Sequence, residues 1–380
     1  MEVSEQLCSE VVQEFDQQGW HRTGSVTDTD SAAWLQQRCA SIGLEAEQHL
    51  YPFHRVDPGP CTVDFSGTRI EGYPLLDSLL PPPGTIIKGA AAPPGDAGTV
   101  CVTRVNQHRN EAELNAARTA GHQAIVAAIE GDEPGFTLLN AWRFSDPYGP
   151  PVIQVPISAW NALNEARESA AQLTIVCGAG KTSTNVANVI GRLPGRYPER
   201  APLVVLTPRS GWWHCAGERG GGLAIWLELA RVLRETPLSR DVVFLATTGH
   251  ELGYLGVRMF LDRDPSLAVE AKAWLHLGAN VGAAGTRLMV RASGQSLLDA
   301  AQAPGSSTQE RLKPNFEVTN RPLGEAGVVA EFGGRFVSFI GASFPLFHSI
   351  NDRWPASGDW RVMAEAGELA LRILRTLDAD

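Results

Sequence analysis

The 380-residue sequence predicts an α/β protein, with a mostly parallel central sheet and a separate β-rich section. Three observations predict it. After Gly178, short apolar runs alternate regularly with helix-like stretches. Between about Pro58 and Cys177, turn residues crowd between short β-prone runs. The length suffices for a large core, either in two domains or in one domain carrying an insertion.

The elements follow in order. Glu5 to Gly43 reads as helices, because TDTDSAAWLQQRCASIGL places capping residues before an apolar-periodic stretch that stops at Gly43. EAEQHLYPF follows as a strand. From Pro58 to Cys177, GPCTVDFSG, LPPPGTIIKG and AAPPGDAG set Pro and Gly between short strands. In the same section, NEAELNAARTAGHQAIVAAIE reads as a helix leading into a strand, and PPVIQVPISAWNALNEARES as a strand leading into a helix. Beyond GAGKTSTNVANVIGRLPG the alternation is regular: APLVVLTP (strand), GGGLAIWLELARVLRE (helix), RDVVFLATT (strand), LGYLGVRMFLDR (helix) and AKAWLHLGA (strand). RFVSFIGASF adds a strand and SGDWRVMAEAGELALRILRTL a closing helix. Continuous apolar strands separated by helices imply a parallel sheet covered on both faces, with any ligand at the carboxyl ends of its strands.

The bulk properties exclude several classes. A net charge of −10 with no Lys/Arg-rich block argues against nucleic acid and anionic membranes as partners. The opening MEVSEQLCSEVVQEF lacks the basic start and apolar run of a secretion signal, and no apolar run reaches membrane-spanning length, so a cytoplasmic protein is expected. Six cysteines without CxxC spacing read as free thiols. GAGKTSTN has only Ala179 between Gly178 and Gly180, where a phosphate-binding P-loop needs four residues.

Four strand-end segments carry the polar groups: TPRSGWWHCAGERGGG, TTGHELG, HLGANVG and FHSINDRW. Charged groups near a core cost several kcal/mol unless paired, so their convergence at one sheet edge points to a functional site. The stretch ATTGHELGYLG, Ala246 to Gly256, sets His250 beside Glu251 directly after a strand.

These residues resemble the zinc aminopeptidase family that includes bacterial leucyl aminopeptidases, glutamate carboxypeptidase and the glutaminyl cyclases. WHRTGSVTDTDSAAWLQQRCASIGLEAEQHLYPF is similar to the family's opening, and TSTNVANVIGRLPG to its hairpin. The section with AARTAGHQAIV and PVIQVPIS is similar to the protease-associated domain that many members insert. The resemblance implies the three-layer phosphorylase/hydrolase-like zinc-exopeptidase fold. It assigns residues 1–57 and 178–380 to the catalytic domain and residues 58–177 to the insert.

The family's metal-binding positions are altered. Thr207, Pro208 and Arg209 stand where members have His-x-Asp, Glu218 stands at the bridging Asp, and His250 and Glu251 replace a Glu-Glu pair. The next Asp falls on Gly278, two residues after His276, and the final His is kept as His348. The resemblance then implies at most one zinc ion, held by Glu218, Glu251 and His348 as three ligands with one open position. His250, with Glu251 beside it, would move protons, since a neutral imidazole serves as a base near pH 7. Arg209, Trp213, His276 and Asn280 would bind substrate, with Arg209 attracting an anionic group.

Two alternatives stay open at this level. Arg219 pairing with Glu218 or Glu251 would leave no metal and a salt-bridged network, in a metal-free enzyme or a silent binding protein. Cys215 or Ser210 could serve as a nucleophile with His250 as base. The expected function is a hydrolase of a small amide or short peptide-like, anionic substrate, in a chain that could form homo-oligomers.

Overall fold

The computed structural model describes residues 2–106, 111–131, 135–302, 311–312 and 314–379. Two eight-stranded sheets organise them. The central sheet contains β1 (Ala46–Pro58), β2 (Ala179–Leu193), β3 (Leu203–Pro208), β4 (Val242–Thr247), β5 (Ala273–Leu277), β6 (Arg287–Ala292), β7 (Asn315–Val318) and β8 (Phe336–Ala342), in the order β1-β2-β4-β3-β5-β8-β6-β7. The four middle strands β4, β3, β5 and β8 are parallel. The flanks are not: β1 pairs antiparallel with β2, β2 with β4, and β6 with β8. The sheet is therefore mixed, with four parallel strands in the middle and a second parallel pair, β6 with β7, at one end.

That arrangement follows from burial. β3, β4 and β5 are buried at every position, as expected of parallel strands covered on both faces. Leu203 and Val205 pack to one side, with α1 (Glu5–Gln17), α2 (Val26–Ser41), α3 (Gly221–Glu235) and the long α6 (Trp360–Ala379). Val204 and Leu206 pack to the other, with Val257 and Phe260 of α4 (Leu255–Arg263) and Val328 and Val329 of α5 (Glu325–Glu331). Trp226 of α3 is fully buried, and its indole nitrogen donates to the Val205 carbonyl at 3.1 Å. Removing such a ring from water takes away roughly 150–250 Å² of accessible surface, worth about 4–6 kcal/mol before entropy is counted. Ser4 and Ser25 cap α1 and α2 by accepting from Leu7 N and Asp28 N.

The second sheet is built wholly from strands between Thr62 and Cys177 and has its own apolar core around Val102, Val126, Ile153 and Leu173. GAGKTSTN lies at the start of β2, paired along β1, and forms no phosphate loop. All six cysteines are free and buried. No helix among the described residues is long and apolar enough to cross a membrane.

Candidate active site

The four polar segments do meet at the carboxyl ends of β3, β4, β5 and β8, where a cavity of about 640 Å³ opens. His250, Asn280 and His348 line it, together with Arg291 of β6. Its apolar wall includes Tyr254, Met289, Leu323, Ile340 and Phe344. Leu139, Asn140 and Trp142 close it from the section that bears the second sheet, in a segment whose Ala141 N donates to the Glu251 carbonyl at 2.8 Å.

Glu218 and Arg219 sit in a single π-type turn, Ala216–Gly220, which Cys215 enters with a left-handed backbone (φ 55°). The turn runs straight into α3 at Gly221, where a Cβ would come within 1.9 Å of the Val281 carbonyl oxygen, so only glycine lets the helix start against the loop that follows β5. Both side chains are buried, and Arg219 Nη2 donates to Glu218 Oε1 at 2.5 Å. Arg219 Nε donates to the Ser210 carbonyl at 2.8 Å. His348 Nε2 stands 3.5 Å from the same Glu218 oxygen, with its ring stacked on Phe347. Burial alone would raise the Glu218 carboxyl, but Arg219, His348 and His250 outweigh it and hold the group below its ordinary value. Beneath the turn, Asp352 accepts from Gly217 N and Glu218 N at 2.7 and 2.9 Å. Burial, reinforced by Glu218 and opposed by those two N–H groups, pushes its carboxyl up to about 7.

His250 belongs to a different chain of contacts. Its Nδ1 lies 2.7 Å from Oε1 of Glu325, the first residue of α5, whose Oε2 lies 3.1 Å from His276 Nε2. His276 Nδ1 in turn meets Ser338 Oγ at 2.8 Å. Glu325 is fully buried; burial would raise its carboxyl, yet the two imidazoles hold it well below the ordinary value. An ionised Glu325 can only accept, so His250 Nδ1 carries the proton and donates to it, which leaves Nε2 as the basic nitrogen. Gly324, at φ 72°, makes this approach possible, because a Cβ there would lie 2.8 Å from His276 Cε1.

Several residues singled out in the sequence lie elsewhere. Arg209 is fully buried, pairs with Asp28 at 2.8 Å and donates to the carbonyls of Asp28 and Ala187, so it does not reach the cavity and cannot meet an anionic substrate. Trp213 packs against Trp20 and donates to the His348 carbonyl at 3.0 Å; it supports the cavity wall from behind. His276 is likewise fully buried and acts on Glu325 rather than on a ligand. Asn280 does line the cavity: its Nδ2 donates to the Gly341 carbonyl at 3.2 Å, while its buried Oδ1 has no hydrogen-bond partner among the described residues. Glu251 does not orient His250. Its Oε1 accepts from Thr23 N at 2.7 Å and its Oε2 from Ser210 Oγ at 2.8 Å. That same Ser210 hydroxyl accepts from His250 N and is buried, with its one proton committed to Glu251. Burial raises the Cys215 thiol well above its ordinary value, so it stays protonated.

Glu325 is the residue that sequence reading misses. An acidic residue in the first turn of a helix ordinarily complements the helix dipole, and nothing near it in the chain marks a partner 75 positions away.

The zinc ion implied by the resemblance is tested by its donors. Glu218 is engaged by Arg219, both Glu251 oxygens are taken by protein donors, and the Arg219 guanidinium bridges Glu218 to Ser210, the residue that binds Glu251. Among the described residues no group of three His, Cys, Asp or Glu is placed to hold a metal. A cation of the protein's own already sits against the carboxylate a zinc ion would need, and the predicted trio does not fit the ion.

Residues 188–323 match peptidase family M28. Aminopeptidase YwaD of Bacillus subtilis (strain 168) is 24% identical over 146 residues, covering 38% of this chain and 31% of that protein, so the chain spans about a third of the curated relative it matches. The structure of BSAP, a zinc aminopeptidase from Bacillus subtilis, superposes with a TM-score of 0.81 over 98% of this chain and 94% of that one, at 16% identity. An aminopeptidase from Aneurinibacillus sp. strain AM-1 gives 0.75 over 98% and 93%, at 15% identity. The chain thus matches peptidase family M28 over residues 188–323 and has the fold of these aminopeptidases.

Proposed function

We propose that the protein hydrolyses a small amide or peptide-like bond by acid–base catalysis between two imidazoles, without a resident zinc ion. One observation carries the reading: His250 and His348 line the same cavity, and each is set against a buried carboxylate, Glu325 and Glu218. Two imidazoles facing one cavity, each positioned by its own carboxylate, are what a paired base and acid require. The family match and the aminopeptidase neighbours support the hydrolase class.

In this scheme His250 Nε2 takes a proton from water as the water oxygen attacks the carbonyl carbon. The C–N bond then breaks, and His348 donates a proton to the departing nitrogen. Glu325 keeps the Nδ1 proton in place and stabilises the imidazolium that forms at His250, while His276 and Ser338 hold Glu325 in position. Arg219 fixes Glu218 beside His348. Residues 58–177 act as an inserted unit of the protease-associated kind; the separate second sheet and the loop bearing Leu139, Asn140 and Trp142 over the cavity support this.

The test is turnover of a blocked-peptide and amide panel by wild type, His250→Ala and His348→Ala, all stripped of metal. We expect losses of about 10²–10⁴-fold in kcat for each variant, the usual contribution of a positioned acid or base. No turnover by wild type, with ligand binding intact, would instead identify a binding protein on a peptidase fold.

A further inference from the structure

The cavity reads a carboxylate, and we propose that its ligands are N-acyl amino acids, or peptides offering a free C-terminal carboxylate, with an apolar body. The inference rests on the hydrolase reading only for the fate of the ligand, not for its recognition.

Charge selects the sign. Among the described residues lining the cavity there is one arginine, Arg291, and two histidines, but no aspartate or glutamate. A free α-ammonium group would enter an apolar space with no acid to meet and with a guanidinium for company, whereas a carboxylate would gain a partner. Arg291 stands on the right face for that role. In the antiparallel register it lies opposite Ser338, and Met289 lies opposite Ile340, so these side chains share the face of the sheet that floors the cavity, while Val290 and Ala292 are buried on the other. Its only described ion pair is with the half-exposed Glu317, 3.4 Å from Nε. Such a pair is worth little and leaves the guanidinium fork available to a bidentate ligand.

A second, independent observation locates the amide. Asn280 is about nine-tenths buried, its Nδ2 is fixed by the Gly341 carbonyl, and its Oδ1 is a buried acceptor without a partner among the described residues, on a left-handed backbone (φ 62°) at the cavity wall. A buried acceptor is normally satisfied, so this one calls for an N–H donor from a ligand. An N-acyl amino acid supplies that N–H, and its carboxylate lies one carbon further along. Tyr254, Met289, Leu323 and Ile340 suit an apolar side chain or acyl group. Hydrolysis would break the acyl–nitrogen bond, water giving OH to the acyl carbon and H to nitrogen, and release a carboxylic acid and a free amino acid.

Calorimetric titration of the full chain with N-acetyl-phenylalanine, N-acetyl-phenylalanine amide and phenylalanine amide tests this. We expect the carboxylate to bind at least about tenfold more tightly than its neutral amide, and the cationic amide not to bind. Arg291→Gln should erase the difference while leaving the Kd of the neutral amide unchanged. Arg291→Lys should keep part of the difference, and Asn280→Ala should weaken both blocked ligands. Equal affinities in wild type, a preference for the cationic ligand, or a carboxylate preference that survives in Arg291→Gln would overturn the proposal. Carboxylate-selective binding without turnover would refute the hydrolase reading alone, and turnover without that selectivity would refute this inference alone.

Discussion

Replacing Glu325 by Gln keeps the shape of the side chain and removes its charge, which makes it the sharpest probe of how His250 is tuned. The wild-type carboxylate accepts from two imidazoles, at 2.7 and 3.1 Å, in a fully buried position. A glutamine has one acceptor and one donor, so it can retain the His250 contact only if His276 changes tautomer towards Ser338. The negative charge that would stabilise a His250 imidazolium is lost in either case. At about 4 Å and an effective dielectric of ~20 that interaction is worth about 4 kcal/mol, or roughly a 10³-fold loss of rate. Folding should suffer less, by about 1–3 kcal/mol, because one charge-assisted hydrogen bond is weakened while the burial of a charge is relieved. Because the folded-state pKa of Glu325 is depressed, its contribution to stability is present above the unfolded value near ~4.3 and is lost as pH falls towards the folded one. The variant should therefore lose less stability than wild type on acidification below about pH 4. Steady-state kinetics at neutral pH, with urea unfolding at several pH values, would measure both. A kcat within about threefold of wild type, or a defect confined to KM, would refute the role given to Glu325.

Arg219→Ala leaves the Glu218 carboxylate buried beside His348 without its guanidinium partner, and should cost about 3–5 kcal/mol in urea unfolding; a loss below ~1 kcal/mol would mean the pair does not organise the turn. Asp352 titrates the other way from Glu325. Its folded value, about 7, lies above the unfolded value near ~3.9, so the folded state binds the extra proton and stability falls as pH rises between the two, by up to about 1.4 kcal/mol per pH unit. Thermal unfolding from pH 5 to 8 should show this decline in wild type and a flatter profile in Asp352→Asn; equal slopes would show that Asp352 does not titrate there. Ser338→Ala removes only the hydroxyl beneath His276, and should lower kcat by less than tenfold with KM unchanged; a large KM effect would place Ser338 in contact with substrate instead.

Much of the fold is legible in the chain because its signals are local. Continuous apolar runs such as LVVLT and VVFLA mark strands that are buried on both faces, and the polar residues that follow them mark the sheet edge where the cavity lies. The two strands at one end of the sheet are harder to see: RLMVRA alternates buried with less buried positions, and NFEV is four residues long and mostly exposed. The chemistry is less legible than the fold because it depends on partners remote in sequence. Arg209 reads as a substrate cation until Asp28, 181 residues earlier, is found against it. Glu251 reads as a zinc ligand and partner of His250, but the opening segment supplies Thr23 to hold it. Arg219 beside Glu218 is visible as a possible pair in the sequence; only the turn that buries both shows which carboxylate it takes.

Whether this rebuilt site works without an ion is settled most directly by purifying the full chain without added metal, measuring its zinc content, and assaying amide hydrolysis before and after exhaustive chelation. We expect substoichiometric zinc, with turnover and melting temperature unchanged by the chelator and turnover abolished in His250→Ala. One tightly held zinc per chain, with activity lost on its removal and restored on its return, would contradict the assignment of Arg219 as the cation of this site.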